Sequence, residues 1–186
     1  MEFQDLVRKR ASVRRYSDKK PDIKNIIRCI DTANLAPSPG NLALLKYVIV
    51  ENKQKIEKIA EACQQDFIAQ SSILIVICSE QKNVTTAYEA RGRKYLKQHA
   101  GAVIQNLLLE LTNLGLASCW VGAFSDISIK RALNIPDEIE IEAILPIGYQ
   151  LKTDRIIQRK KPLLENRIFF ETWKNKYRKP FAGIQD

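Results

Sequence analysis

The apolar residues of positions 3–63 include three segments whose pattern predicts amphipathic helices. Residues 3–10, 23–30 and 56–63 each carry apolar side chains at helical spacing. Pro21 precedes the second of these segments and Pro37 follows it, and prolines at such places favour a helix start and a helix stop. The first two of these helices therefore precede the first predicted strand.

Later apolar runs have the character of strands. Residues 73–78 are apolar without interruption, which is typical of a strand buried on both faces of a sheet. Residues 47–50 form a shorter run, and residues 138–148 alternate before becoming continuously apolar. Residues 118–122 fit a short strand or an extended turn. Strands mixed with helices after an opening set of helices favour an α+β or α/β fold with a central sheet.

The segment from His99 to Gly115 is the strongest helix prediction. Its apolar residues cover most of the helical circumference, so we expect it to be buried in the core or against another subunit. Gln105 and Asn106 are polar positions on this helix. An unpaired polar group in a core costs about 1–3 kcal/mol, so we expect both to pair across a subunit interface or to reach a ligand, structural pairing being favoured.

Two shorter helices complete the prediction. One covers residues 128–133 and is closed by a proline. The other begins near Leu163, and its apolar side chains are expected to be buried. They are Leu164, Ile168 and Trp173. With 186 residues and no clear linker, the chain has the length of one domain, and we treat residues 1–186 as a single domain.

The charge is unevenly distributed. The chain has 30 Lys and Arg against 21 Asp and Glu, a net charge of +9. Residues 1–20 and 152–180 together hold 17 of the basic residues but only 6 of the acidic ones. The two basic ends could be solvated surface, a shared site for an anion such as phosphate, or a nucleic-acid surface. The sequence has no nucleic-acid-binding signature and no aromatic residues interleaved with the basic ones, which argues against the last.

The composition excludes several kinds of site. His99 is the only histidine, so a multi-histidine zinc site is impossible; we assign this residue no role and expect it at a helix start or on the surface. The four cysteines form no C-x-x-C pair, and the glycines form neither a dinucleotide fingerprint nor a P-loop. No apolar stretch is long enough to span a membrane and no signal-peptide core is visible, so we expect a cytoplasmic protein.

Four short motifs occur in order along the chain. They are RASVRRY at residues 10–16, APSPGN at 36–41, AVIQNLLL through LGLASCWVG at 102–122, and LPIGY at 145–149. In order and spacing they resemble the R-x-S-x-R-x-[FY], A-P-S-x-x-N, A-x-I-Q-N-L-L-L to G-L-G-S-C-W-V-G and L-P-[IL]-G-Y motifs of FMN-dependent nitroreductases. Each motif alone is weak, whereas the four together cover most of the chain.

The resemblance implies an α+β fold with a mixed central sheet wrapped by helices. It implies a homodimer in which the long apolar helix lies at the interface and two FMN molecules each touch both subunits. It also implies that NADH or NADPH passes a hydride to flavin N5, and that a nitroaromatic, a quinone or a similar small molecule then takes the electrons. No catalytic side chain and no metal are expected, because the flavin carries the chemistry.

The positions that match the motifs are the residues expected to bind FMN. Arg10, Ser12 and Arg14 would hold the phosphate through guanidinium and hydroxyl donors, with a backbone contact from Ala11. The other candidates are the loop residues Pro37, Ser38, Pro39 and Asn41, the turn residues Cys119, Trp120, Val121 and Gly122, and the basic residues Arg159, Lys160 and Lys161. Each of the first three groups also has a purely structural interpretation. Residues 10–14 could be a basic turn on the surface, residues 37–41 an Asx-type loop, and residues 119–122 a strand that only packs.

Two segments bear on specificity. After Asn41 the family commonly has x-Q-P-W, whereas residues 42–45 here are LALL, so a hydrogen-bonding side chain and an aromatic ring beside the flavin are missing. Residues 88–93, YEARGR, resemble the Y-x-x-R-G-R stretch of one branch of the family, in a region that usually forms part of the substrate lid.

Three other functions stay open. The first is a specialised flavoenzyme of the same fold, such as a dehalogenase or a dehydrogenase that makes C=C bonds. The second is a protein that binds flavin without turnover. The third is a basic domain that binds nucleic acid, which the net charge of +9 favours.

Overall fold

The computed structural model of the chain describes residues 2–153 and 163–176, and its centre is a four-stranded sheet. The strands are β1 (Leu45–Val50), β2 (Ile73–Ser79), β3 (Ala117–Ser118) and β4 (Glu140–Gly148). They lie in the order β1-β2-β4-β3, and all three pairs are antiparallel. Parallel pairing in the described residues is limited to an isolated bridge between Ser12 and Ser118. The α+β prediction is confirmed, although the named strands pair in antiparallel fashion only.

Six α-helices accompany the sheet in the described part of the chain. They are α1 (Phe3–Lys9), α2 (Ile23–Ala33), α3 (Lys53–Cys63), α4 (Lys82–Tyr88), α5 (Ala90–Asn113) and α6 (Asp126–Leu133). Short 3-10 turns occur at Pro39–Asn41, Asp66–Gln70 and Leu164–Asn166. Among these described helices none is both long and apolar enough to cross a membrane. The chain divides into two compact units, Met1–Asp154 and Arg155–Asp186, and the sheet and all six helices belong to the first.

Strand β2 is buried on both faces, as its uninterrupted apolar sequence predicts. Side chains alternate across a strand, so one set of residues packs towards α2 and α5 and the other towards α3 and α6. The first set is Ile73, Ile75 and Ile77, and the second is Leu74, Val76 and Cys78. All seven residues of β2 are buried, so the strand separates two hydrophobic cores.

The helix ends follow local side-chain chemistry. Helix α2 starts after Asp22, whose side chain accepts a hydrogen bond from the Lys24 amide at 2.9 Å, and it stops before Pro37 as predicted. Helix α3 starts in the same way after Asn52, whose side chain accepts from the Lys55 amide at 3.0 Å. Polar caps therefore fix where these two helices begin.

Helix α5 is longer than its apolar pattern predicts. It starts at Ala90, nine positions before His99. The sequence did not predict these first turns because most of their side chains are exposed and several are basic, which leaves no clear apolar stripe. Helix α4 precedes it and was not predicted, since Val84 is its only buried residue. Only Glu89 separates the two helices, and its backbone has a positive φ of 50°.

The prediction of a helix from Leu163 that buries Leu164 and Trp173 is wrong. The segment 163–176 contains a single 3-10 turn, and these two side chains are 51% and 80% exposed. Positive φ angles at Glu171 and Lys174 are incompatible with a continuous helix. Helical spacing of apolar residues was therefore not sufficient to form a helix there.

A small ionic network joins α5 to the sheet. The Lys97 ammonium donates to Glu140 at 2.6 Å and to Glu142 at 2.9 Å, and the Ser79 hydroxyl donates to Glu142 at 2.5 Å. The Glu142 side chain is only 6% exposed, whereas the Lys97 and Glu140 side chains are about half exposed. The hydrogen bond from Lys97 lowers the pKa of Glu140. Burial acts to lower the pKa of Lys97, but the bonds to the two carboxylates outweigh it and raise that pKa.

Removing the cation from this network is expected to destabilise the fold at neutral pH. Lys97→Met keeps the aliphatic stem but leaves the buried Glu142 carboxylate with Ser79 alone, which we expect to lower the free energy of unfolding by about 1–2 kcal/mol. A carboxyl whose pKa is lowered by folding contributes stability above its unfolded pKa, about 4.5, and loses it as the pH falls further. Urea unfolding should therefore show that the free energy of unfolding of Lys97→Met lies well below that of the wild type at pH 7 and close to it at pH 3. Lys94→Met, an exposed change on the same helix, is the control, and an equal loss in both variants would contradict the network.

Candidate functional site

Tyr16 holds the first motif against strand β4. Its one hydroxyl proton is shared between the Val13 carbonyl at 2.8 Å and the Pro146 carbonyl at 3.2 Å, and its side chain is buried. Gly148 makes room for the ring, because a Cβ built there would lie 2.9 Å from a Tyr16 ring carbon. Burial raises the pKa of Tyr16 well above its usual range, so the phenol stays a donor. The tyrosine of the first motif and the glycine of the fourth therefore fit each other.

Backbone hydrogen bonds bring three of the four motifs together. The Val13 amide donates to the Ser118 carbonyl at 3.0 Å, which joins the first motif to β3. The Ser17 amide donates to the Tyr149 carbonyl at 2.8 Å, which joins it to the end of the fourth motif. Since β3 also pairs with β4, residues 10–17 lie along the same sheet edge as the third and fourth motifs.

The donors of the first motif sit on the outside of this junction. Arg14 is exposed, and Arg10, Ala11 and Ser12 are half-buried. The Arg14 guanidinium lies 5.8 Å from the centre of the Phe67 ring, which restricts its position without neutralising its charge. Two guanidinium groups and a hydroxyl on one short, firmly held segment form a donor set that suits a phosphate.

The second motif forms a loop with a tight tip. Ser38 is extended, and Gly40 and Asn41 follow with positive φ angles of 59° and 55°. Asparagine and glycine adopt this backbone conformation more readily than other residues, so the sequence explains the turn. Pro37 and Asn41 are exposed, while Ser38 and Pro39 are half-buried.

The turn after β3 contains the third group of candidates. Cys119 and Val121 are buried and pack into the protein, whereas Trp120 is 42% exposed and Gly122 is exposed. Val121 exchanges both backbone hydrogen bonds with Ile144 at 3.0 Å. A Cβ built on Gly122 would meet no atom within 4 Å, so the space beside this backbone is open to a ligand.

The thiols of the chain are poor candidates for catalysis. All four cysteines are buried, and none of them forms a disulfide. Burial raises the pKa of Cys63 and of Cys78 to about 11, and that of Cys29 to about 12, so these three thiols stay protonated at neutral pH. No group of three or more potential ligating side chains in the described residues is arranged to hold a metal.

The expectation that His99 lies at a helix start or on the surface is wrong. It sits in the interior of α5, it is only 6% exposed, and its Nδ1 lies 3.0 Å from the Pro37 carbonyl oxygen. His99 therefore links the long helix to the second motif. The signal was present in the sequence, because Leu96, His99 and Val103 share one helical stripe whose other members are buried.

Two sets of expectations stay predictions. Arg159, Lys160 and Lys161 lie outside the described residues, so their part in phosphate binding stays a prediction. Gln105 is exposed and Asn106 is half-buried in the single chain, so neither is an unpaired group in the core. Their pairing across a subunit interface also stays a prediction.

The described residues suit a flavin mononucleotide. The first motif supplies cationic and hydroxyl donors for a phosphate, the loop at 36–41 supplies amide and hydroxyl groups, and the backbone near Gly122 can be approached closely. The indole of Trp120 is partly exposed in the same turn. The chemistry of these groups therefore fits both the anionic and the planar part of such a cofactor.

Comparisons with known proteins agree with this geometry. The chain is 25% identical over 173 residues to a protein of Archaeoglobus fulgidus provisionally named an NADH dehydrogenase/NAD(P)H nitroreductase, and the match covers 90% of this chain and 97% of that one. It is 26% identical over 161 residues to an iodotyrosine deiodinase of Thermotoga neapolitana, covering 78% and 87% of the two chains.

The fold is shared with a solved structure of an FMN-dependent nitroreductase from Clostridium difficile R20291. The TM-score is 0.76 at 21% identity, with 90% of this chain and 98% of that chain covered. The sequence profile of the Nitroreductase family matches residues 7–69 and 60–149, which include all four motifs. The chain therefore belongs to the Nitroreductase family.

Proposed function

We propose that the protein is an FMN-dependent oxidoreductase that uses NADH or NADPH to reduce a small acceptor such as a nitroaromatic or a quinone. The convergence of the first, third and fourth motifs on β3 and β4 supports the proposal most strongly, because the guanidinium and hydroxyl groups of the first motif and an open backbone turn belong to one connected framework. The names of the Archaeoglobus fulgidus and Clostridium difficile proteins support the donor and the cofactor.

The chain's own residues would bind and orient the cofactor. Arg10, Ser12 and Arg14 would hold the phosphate, the loop at 36–41 would contact the ribityl chain or the ring edge, and the turn at 119–122 would lie against the ring. When bound, FMN supplies the redox chemistry by accepting a hydride at N5 and passing electrons to the acceptor. A backbone amide near Gly122 could donate a hydrogen bond to the ring, and the buried thiols would take no part.

A second copy of the chain is the partner we propose. Helix α5 buries one stripe in this chain, while Gln98, Ala102, Gln105 and Leu109 on another stripe are exposed or half-buried. Helix α1 has no buried residue in the single chain, and its Phe3 is 69% exposed. The uncovered Ala102, Leu109 and Phe3 side chains, with the amides of Gln98 and Gln105 beside them to hydrogen-bond across an interface, suit a homodimer.

The cytoplasm is the compartment we propose. It supplies NAD(P)H and keeps thiols reduced, which suits a chain whose four cysteines form no disulfide.

The first test is cofactor retention by the purified protein. We expect the protein, soaked with FMN and desalted, to keep about one FMN per subunit, to have the mass of a dimer, and to bleach when NADH or NADPH is added without oxygen. The absorption spectrum measures both the retained flavin and its bleaching, analysis of the released chromophore identifies it as FMN, and light scattering gives the mass. A colourless protein would contradict the proposed cofactor, and retained FMN that no acceptor reoxidises would favour a non-catalytic flavin-binding protein.

The second candidate function is reductive dehalogenation of an aromatic substrate. Its support is the similarity to the Thermotoga neapolitana protein named iodotyrosine deiodinase. An acceptor panel that includes nitroaromatics, quinones and halogenated phenols separates the two functions. Faster turnover of the halogenated phenols, with halide release, would favour the second.

A further inference from the structure

His99 connects helix α5 to the loop that carries the second motif. Its Nδ1 lies 3.0 Å from the Pro37 carbonyl oxygen, and a carbonyl oxygen can only accept a hydrogen bond. Nδ1 is therefore the protonated donor of this hydrogen bond. The side chain is only 6% exposed, so water cannot easily replace this bond.

The bond acts on one peptide unit of the loop. The Pro37 carbonyl and the Ser38 amide belong to the same planar trans peptide, in which C=O and N–H point in opposite directions. Since the carbonyl is held towards α5, the Ser38 N–H is directed away from that helix. Pro37 and Pro39 have no N–H of their own, so the orientation of this amide decides what the middle of the loop can donate.

We propose that His99 is a positioning residue, which holds the Pro37–Ser38 peptide so that the Ser38 amide faces bound FMN. This inference rests on the proposed function and adds a residue that the motifs do not include. The loop is otherwise held by turn bonds of its own: the Asn41 amide donates to the Ser38 carbonyl at 3.3 Å and the Leu42 amide to the Pro39 carbonyl at 3.2 Å. Neither of these two bonds orients the Pro37–Ser38 peptide.

Three substitutions at position 99 separate the hydrogen bond from packing. The amide nitrogen of asparagine lies as many bonds from Cβ as Nδ1 of histidine, so His99→Asn keeps a donor in reach of Pro37. The amide of glutamine corresponds instead to Nε2, so His99→Gln keeps a polar group but places it away from the carbonyl. His99→Leu removes the donor and keeps most of the volume.

FMN affinity and apoprotein stability are measured for all four proteins. Titration of each apoprotein with FMN, followed by quenching of flavin fluorescence, gives the dissociation constant, and thermal unfolding without FMN gives the stability. We expect His99→Leu and His99→Gln to bind FMN about 5–10-fold more weakly than the wild type, and His99→Asn to remain within about 2-fold. If His99→Leu does not fold, the comparison of the Asn and Gln variants decides the same question.

The outcomes distinguish this inference from the proposed function. If the wild type binds FMN and the Leu and Gln variants bind equally well, His99 does not position the loop and only the inference fails. A loss of apoprotein stability in these variants without a change in FMN affinity shows a purely structural role and overturns it too. Weak binding by all three variants, including Asn, contradicts the hydrogen bond as the cause. A wild-type protein that does not bind FMN overturns the proposed function together with this inference.

Discussion

Replacing Arg10 and Arg14 together by alanine is expected to weaken FMN binding by at least about 100-fold. Each guanidinium would give the phosphate a charge-assisted hydrogen bond worth about 1.5–3 kcal/mol, and a tenfold change in affinity corresponds to about 1.4 kcal/mol. Stability should change little, because Arg14 is exposed and Arg10 is half-buried. Titration of the apoproteins with FMN measures the effect, and added NaCl should weaken wild-type binding more than binding by the variant.

The control for this experiment removes the same charge elsewhere. Lys55 and Lys58 are exposed on α3, so the double alanine variant at these positions loses two positive charges from another element. If both double variants lose affinity equally, net charge rather than the first motif attracts the cofactor. Binding by the Arg10 and Arg14 variant within about 3-fold of the wild type would show that the phosphate is held by other residues.

The first motif also shows how much of the site could be predicted from the sequence. The motifs predicted the candidate residues, and the structure joins the first motif to the predicted strand at 138–148 and the predicted turn at 118–122. The bond from Tyr16 to Pro146 could not be predicted, since 130 residues separate the two positions and neither shows its partner in the local pattern. Long-range pairing depends on the register of the whole sheet, which no single segment determines.

The elements with strong apolar periodicity were predicted well for a physical reason. Helices α2 and α3 and strand β2 are stabilised by burying the residues that form their pattern. The first turns of α5 and all of α4 are exposed on most sides, so their formation depends on the chain that follows, and periodicity gave no signal. In residues 163–176 the apolar residues have helical spacing, but positive φ angles at Glu171 and Lys174 do not allow a continuous helix.

Helices α4 and α5 meet so closely that only glycine fits at position 92. The single residue Glu89 joins the two helices, and the first turn of α5 folds back on α4. A Cβ built on Gly92 would lie 2.4 Å from the Val84 carbonyl oxygen and 2.8 Å from its carbon, well inside the sum of their radii. Both partners are backbone atoms, so no side chain can move aside.

Gly92→Ala is therefore expected to destabilise the protein, although alanine is a better helix former than glycine. Moving the two backbones apart should cost more than the roughly 1 kcal/mol that alanine gains in helix propensity, and we expect a net loss of about 2–3 kcal/mol. For a chain of this length the thermal midpoint should fall by about 5–10 °C. Lys94→Ala, an exposed substitution on the same helix, should leave the midpoint nearly unchanged.

The same substitution should also affect the candidate site, because the corner between α4 and α5 fixes Tyr88. The Tyr88 hydroxyl lies close to the tip of the loop at 36–41, 2.9 Å from where a Cβ on Gly40 would be, and its ring packs edge-on against Tyr95 with the centroids 5.3 Å apart. If Gly92→Ala shifts α4, Tyr88 moves away from this loop, and FMN should dissociate faster from the variant at temperatures where it is still folded. Stopped-flow release of FMN into excess apoflavodoxin, compared with Lys94→Ala, measures this rate.

A Gly92→Ala variant that is as stable as the wild type would contradict the stability prediction. It would show that the corner opens without cost and that the contact with Val84 does not determine the fold there.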